Sequence, residues 1–142
     1  MSAQWRRSFE RRFPDIDTSP VLYRHRDIHC MHTSSQSDLW FKRFARGPLR
    51  PRWRLLCFPY AGGSAGVFRH WQAHLPADVE LLAVQYPGRE ERLREAPMEN
   101  LQELLEALVP LVEALPECRY AVFGHSMGAM VGFELVRALR QR

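Results

Sequence analysis

From residue 53 onward, short apolar runs alternate with stretches that repeat apolar residues at helical spacing. Two runs, at 53–58 and 79–84, have the length and composition of strands buried on both faces, and a third short strand is predicted at 120–123. Helical stripes follow at 101–115 and 127–140, and a further helix is predicted after Gly66 from Phe68, Trp71 and Leu75. Strands that alternate with helices predict an α/β fold, a parallel sheet with flanking helices.

The first 37 residues show neither a helical nor a strand period. They contain proline, aspartate and a polar run at 33–37, all of which favour loops. We therefore predict two parts, an irregular basic extension over residues 1–37 and a folded domain over residues 38–142.

Composition argues against disordered, membrane-spanning, secreted and disulfide-rich proteins. The 142 residues are 46% hydrophobic and 25% charged, which favours a folded domain over a disordered chain. No apolar run approaches the ~20 residues of a membrane-spanning helix, and the N-terminus lacks a signal-like stretch, so we predict a cytoplasmic protein with no membrane partner. The three cysteines, Cys30, Cys57 and Cys118, form no C-x-x-C pair, which argues against a disulfide framework or a zinc ribbon.

Charge is uneven along the chain, whose net charge is +4. The N-terminus interleaves basic and aromatic residues, a pattern that fits an arm for nucleic acid, an anionic membrane or an acidic carrier protein, and equally an unstructured extension. We adopt the extension and predict no nucleic-acid partner. His25, His29, Cys30 and His32 crowd together but match no zinc spacing, so no metal or other cofactor is predicted.

The segment Gly124-His125-Ser126-Met127-Gly128 joins the third predicted strand to the last predicted helix. A G-x-S-x-G sequence at such a junction is typical of a nucleophile elbow, a sharp turn that holds its serine in a strained backbone conformation. The turn presents the hydroxyl of Ser126 at the carboxyl edge of the sheet and aims the amide of Met127 where an oxyanion would form. We predict Ser126 as a catalytic nucleophile, with a purely structural turn as the alternative.

A second stretch, residues 62–66, also fits G-x-S-x-G. Three residues separate it from its strand, so the tight elbow geometry is not expected there. Small residues let a backbone approach a substrate closely, and we predict the amide of Ala61 as a second oxyanion donor. A plain glycine turn is the alternative interpretation.

Three segments together resemble a known family: Phe-Pro-Tyr-Ala-Gly-Gly-Ser at 58–64, Gln-Tyr-Pro-Gly-Arg-Glu-Glu-Arg at 85–92 and Gly-His-Ser-Met-Gly at 124–128. They are similar to the successive signatures of the type II thioesterases, stand-alone α/β-hydrolases that accompany polyketide and nonribosomal peptide synthases. The resemblance covers about residues 39–142. It implies that Ser126 is acylated from the phosphopantetheine arm of an acyl or peptidyl carrier protein, that Met127 and Ala61 donate to the oxyanion, and that water then releases the acid, an editing or release function.

The remaining catalytic partners have no counterpart in the sequence. This architecture places an Asp and then a His after the serine, whereas the residues after Ser126 include neither. His125 is expected to point away from the hydroxyl, and His70 and His74 are expected on a solvated or core-edge face of a helix. We therefore expect the N-terminal part of an α/β-hydrolase thioesterase, truncated after the elbow helix and inactive in isolation. The alternatives are another serine hydrolase such as an esterase, or a non-catalytic remnant with a basic binding arm.

Overall fold

A four-stranded sheet organises the residues that this computed structural model describes, 36–142. In chain order the strands are β1 (Phe41–Lys42), β2 (Trp53–Phe58), β3 (Val79–Val84) and β4 (Arg119–Gly124). Their order across the sheet is β1-β3-β2-β4. β2 pairs in parallel with both β3 and β4, which confirms the predicted parallel arrangement for three strands.

The sheet is mixed rather than wholly parallel because β1 pairs antiparallel to β3. β1 follows directly on a short helix, α1 (Gln36–Trp40). A strand of two residues has no alternating pattern to detect in the sequence, and its pairing depends on Phe41 being buried beside Val84. The predicted extension over residues 1–37 lies outside the described residues except for its last two, which begin α1.

Both long predicted helices are confirmed. α2 runs over Leu101–Glu113 and α3 over Met127–Arg140. Asn100 caps α2, because its side chain accepts a hydrogen bond of 2.8 Å from the backbone amide of Gln102. Both helices pack on one face of the sheet, around a core that includes Leu56, Phe58, Leu108 and Leu135.

The prediction of a single helix after Gly66 is wrong. The segment forms two short 3-10 helices, Ala65–Phe68 and Trp71–His74. Gln72 explains the second one, because its side chain donates to the carbonyl of Val79 and accepts from the amide of Leu81. These tertiary bonds to β3 outweigh the helical spacing of a segment too short to be a stable helix by itself.

The two 3-10 helices cover the other face of the sheet, where a smaller core contains Cys57, Ala65, Phe68 and Ala83. β4 lies at an edge, and among the described strands it pairs with β2 alone. Most residues of β4 are exposed. None of the helices in the described part of the chain has the length and hydropathy to cross a membrane.

Candidate functional site

The serine of the Gly-His-Ser-Met-Gly segment lies in a tight turn between β4 and α3. The amide of Gly128 donates to the carbonyl of His125 at 3.0 Å, which closes the turn. Between them, Ser126 has φ 54° and ψ −119°. These angles fit the first central position of a type II′ turn, which glycine ordinarily occupies. The sequence prediction of a strained turn at this serine is matched by the backbone.

The two outer glycines of the segment are required by close packing. A Cβ at Gly124 would overlap the backbone of Gly128 and Ala129 in the first turn of α3. A Cβ at Gly128 would overlap the carbonyl of Phe58 and lie 2.6 Å from the carbonyl oxygen of Pro59. The N-terminus of α3 therefore rests directly on the end of β2, which brings the elbow and the loop after β2 together.

That loop leaves the same sheet edge as the elbow. Phe58 and Gly124 are the last register pair of β2 and β4, and the amide of His125 donates to the carbonyl of Phe58 at 3.3 Å. The rings of Tyr60 and His125 then meet edge to face, with centroids 5.5 Å apart. The structure thus brings together the two loops that the sequence assigned to one site.

The two amides predicted as oxyanion donors occupy equivalent places on these loops. Ala61 lies three residues beyond the register pair on one loop, and Met127 lies three residues beyond it on the other. Ala61 follows Tyr60 in a turn closed by a 2.9 Å bond from the amide of Gly63 to the carbonyl of Tyr60. Met127 is the first residue of α3, where the helix has no internal acceptor for the amide. Hydrogen bonding within the strands and helices therefore leaves both amides available as donors to a ligand.

Positive φ at Gly62, 79°, completes the turn after Tyr60. A type II turn needs such a residue at its second central position, which accounts for a glycine there. Ser64, the serine of the second G-x-S-x-G match, is extended instead, with φ −130° and ψ 172°. Its hydroxyl donates to Glu90 at 2.7 Å. The geometry of an elbow is therefore present at Ser126 and absent at Ser64.

The Pro-Gly-Arg-Glu-Glu-Arg segment after β3 folds against these loops. Arg92 is buried, donates to the carbonyl of Gln85 at 2.9 Å and forks onto Glu95 with bonds of 2.8 and 2.6 Å. Its guanidinium also lies 4.4 Å from the ring centroid of Trp40. Arg92 therefore fastens the segment to the sheet, which fits a structural role for this signature arginine.

Sequence reasoning missed Gln85, which links several parts of this edge. Gln85 is fully buried, and its side-chain oxygen accepts a 3.0 Å bond from the amide of Ala65. The backbone amide of Gln85 donates to the carbonyl of Trp40 at 2.8 Å. A polar residue directly after a buried apolar run was the available signal, because a buried side-chain carbonyl oxygen needs a donor.

No histidine of the described residues is bonded to the hydroxyl of Ser126. His125 faces Tyr60, in line with the expectation that it points away from its neighbour. His70 and His74 are exposed, which agrees with the solvated alternative and not with a core-edge face, and they lie at the two 3-10 helices and not on one α-helix. Within residues 36–142 no three His, Cys, Asp or Glu side chains group closely enough to hold a metal ion, and the histidine-rich group at 25–32 lies outside this range.

The fold and this edge define the class of protein. The parallel strands, the last of which leads through a strained turn into a helix, and the glycine-rich loop beside that turn constitute part of an α/β-hydrolase fold. A family model described as "Thioesterase domain" matches residues 53–142. The chain belongs to the thioesterase family.

The sequence relatives of the chain indicate which thioesterases it is similar to. The chain is 41% identical over 108 residues to the gramicidin S biosynthesis protein GrsT of Aneurinibacillus migulanus, covering 76% of this chain and 42% of that protein. It is 47% identical over 107 residues to the thioesterase PikA5 of Streptomyces venezuelae, covering 75% of this chain and 38% of that protein. These matches confirm the resemblance to thioesterases of antibiotic, polyketide and nonribosomal peptide biosynthesis.

A solved structure agrees with the sequence relatives. The type II thioesterase BorB from the borrelidin biosynthetic cluster superposes with a TM-score of 0.69 at 40% identity, covering 76% of this chain and 44% of that one. The predicted partial α/β-hydrolase fold is confirmed. The chain spans less than half the length of each of these relatives.

Proposed function

We propose that these residues provide the nucleophile and the oxyanion donors of a thioesterase that acts on acyl groups attached to carrier proteins. The observation that supports this most directly is the backbone of Ser126, φ 54° and ψ −119°, between β4 and the N-terminus of α3. Strain of this kind is retained where it places a reactive side chain. The names of the relatives, which include a type II thioesterase, point to a thioester as the substrate.

The reaction we propose has two stages. The oxygen of Ser126 attacks the thioester carbonyl, and the amides of Met127 and Ala61 donate to the oxyanion that forms. Collapse of this intermediate leaves the acyl group on Ser126 and releases the phosphopantetheine thiol of the acyl or peptidyl carrier protein. Water then attacks the acyl-serine and releases the free acid. No cofactor takes part, and the setting we propose is the cytoplasm.

The proposal needs a base that accepts the proton of Ser126. Six histidines occur in the 142 residues, and all precede Ser126. Oxyanion stabilisation without a base retains only a small part of triad catalysis. We therefore propose that residues 1–142 alone turn over slowly, and that an Asp and a His outside them complete the site.

The experiment compares residues 1–142 with the product of the complete gene, sequenced past the codon for Arg142. Each is assayed on acyl-carrier thioesters and on matched oxygen esters, and the acyl-enzyme is trapped and mapped by mass spectrometry. We expect the complete product to prefer thioesters, to carry the acyl group on the peptide containing Ser126, and to lose at least about 10³-fold in rate with Ser126→Ala.

Other results would contradict specific parts of the proposal. An acyl group mapped to the peptide containing Ser64, or full activity in Ser126→Ala, would remove the proposed nucleophile. A preference for oxygen esters would favour an esterase of the same fold. A rate typical of enzymes from residues 1–142 alone would disprove the need for outside partners.

A further inference from the structure

Glu90 has an unusual backbone conformation and an unusual side-chain contact. Its φ is 44°, in the left-handed region that residues other than glycine seldom occupy. Its carboxylate accepts a hydrogen bond from the hydroxyl of Ser64, with 2.7 Å between the two oxygens. Ser64 lies 26 residues earlier, on the loop that contains Ala61. A strained residue on one loop thus holds the end of another.

Gly66 leaves room for this contact. A Cβ at position 66 would lie 2.5 Å from the carboxylate oxygen of Glu90 and 3.4 Å from the hydroxyl oxygen of Ser64. Real Cβ atoms essentially never approach other atoms below 3.0 Å, so any other residue at this position would displace the carboxylate. Three features therefore favour the contact between the carboxylate and the hydroxyl: the backbone conformation of Glu90, the position of Ser64 and the absence of a side chain at Gly66.

The loop with Ala61 is held at both ends. Its beginning is fixed by the sheet, where the amide of His125 donates to the carbonyl of Phe58. Its far end is held by two side chains of the segment after β3, Gln85 on the amide of Ala65 and Glu90 on Ser64. Gln85 is buried within the sheet edge, whereas Glu90 is exposed and reaches the loop from outside.

We propose that Glu90 is a positioning residue for the proposed thioesterase reaction, in which its carboxylate, acting through Ser64, fixes the loop that presents the amide of Ala61. The inference rests on the proposed function, because it assigns Glu90 to the same oxyanion site. An oxyanion donor acts only when it is held in place before the charge develops. A displacement of about 1 Å at such a site costs on the order of 10²-fold in rate.

The test is a double-mutant cycle in the complete gene product, with Glu90→Ala, Ser64→Ala and both together. We expect each single variant to lower kcat about 10- to 100-fold with KM within about twofold, because the loop affects the transition state more than ground-state binding. The double variant should lose no more than either single variant, since all three remove one hydrogen bond. Glu90→Gln keeps an acceptor oxygen and should restore most of kcat.

Glu91→Ala is the matched control. It removes the neighbouring carboxylate, which pairs with Lys42 at 2.9 Å and has no contact with Ser64. We expect its kcat to match that of the parent. Melting temperatures of all variants are measured so that a loss of fold is separated from a loss of position.

A second readout keeps the two proposals distinguishable. Amide hydrogen exchange of the peptide spanning residues 59–66 should be about tenfold faster in Glu90→Ala and unchanged in Glu91→Ala. Unchanged exchange, additive losses in the double variant, or an effect confined to KM would overturn the role of Glu90 while Ser126-dependent hydrolysis persists. If Ser126→Ala stays active, the proposed function fails, and the exchange result still decides whether Glu90 holds the loop.

Discussion

Replacing Ser126 by glycine should stabilise the protein while it removes the proposed nucleophile. The serine holds φ 54° and ψ −119°, where an L-residue costs about 1–2 kcal/mol and glycine costs nothing sterically. Glycine adds roughly 0.5–1 kcal/mol of unfolded-state entropy that folding must overcome. The hydroxyl makes no capping bond to α3, so its removal breaks no contact there. The net expectation is a gain of about 0.5–1 kcal/mol in the free energy of unfolding.

Urea unfolding followed by tryptophan fluorescence measures this gain for the parent, Ser126→Gly and Ser126→Ala. Alanine keeps the Cβ and therefore keeps the strain, so we expect it to lie within about 0.5 kcal/mol of the parent. The glycine variant should melt about 2–4 °C higher. Ser64→Gly is the matched control, because Ser64 is extended and bonded to Glu90, and we expect it to lose about 1–2 kcal/mol.

Two outcomes would refute this reasoning. If Ser126→Gly is no more stable than Ser126→Ala, the turn stores no strain, and the main observation behind the proposed nucleophile loses its physical basis. If Ser64→Gly is stabilised by the same amount, the gain is a general effect of glycine and does not report on the elbow.

Three further predictions concern packing and charge away from the serine hydroxyl. Gly128→Ala should cost about 1–3 kcal/mol in unfolding free energy, because the new Cβ would overlap the carbonyl of Phe58. The control is Gly47→Ala, because the two atoms nearest to a Cβ there are side-chain carbons of Glu80, at 3.2 and 3.5 Å. Burial alone would raise the pKa of Glu80, but hydrogen bonds from Arg43 and Arg54 outweigh it and lower the pKa below its usual 4.5. Because Glu80 accepts these bonds at 2.9 and 2.7 Å, and because the pair with Arg43 is screened by solvent, Glu80→Gln should cost about 1–2 kcal/mol at pH 7. Burial raises the pKa of Cys57 to about 12, so its thiol should resist iodoacetamide at pH 8 in the folded protein and react only on unfolding.

Each of these has a clear contrary result. Equal stability of the parent and Gly128→Ala would show that α3 can move away from β2 at little cost. The stabilisation by Glu80 is present above about pH 4.5 and is lost as the pH falls through its folded pKa, so urea unfolding should show the parent and Glu80→Gln converging in strong acid. A difference that is constant with pH would contradict the ion pairs. Mass mapping that finds Cys57 alkylated as fast as Cys118, which is only partly buried, would contradict its burial.

The long elements were predictable because their local pattern and their packing agree. α3 begins and ends where it was predicted, since Val131 and Leu135, four positions apart, are buried in the core beside the sheet, although Met130 and Phe133 of the same helix are exposed. The helix after Gly66 failed for the opposite reason. Its spacing was helical, but Gln72 forms two bonds to β3 that a continuous helix would not provide.

Sequence alone determined the three parallel strands, the two long helices and the place of Ser126 between β4 and α3, because each of these depends on residues close together in the chain. It also identified the family, since three short signatures occur in order. Only the tertiary structure decided what joins these signatures. The bond from Ser64 to Glu90 and the burial of Gln85 against Ala65 link residues at least 20 positions apart, and no periodicity encodes which distant polar group will meet which.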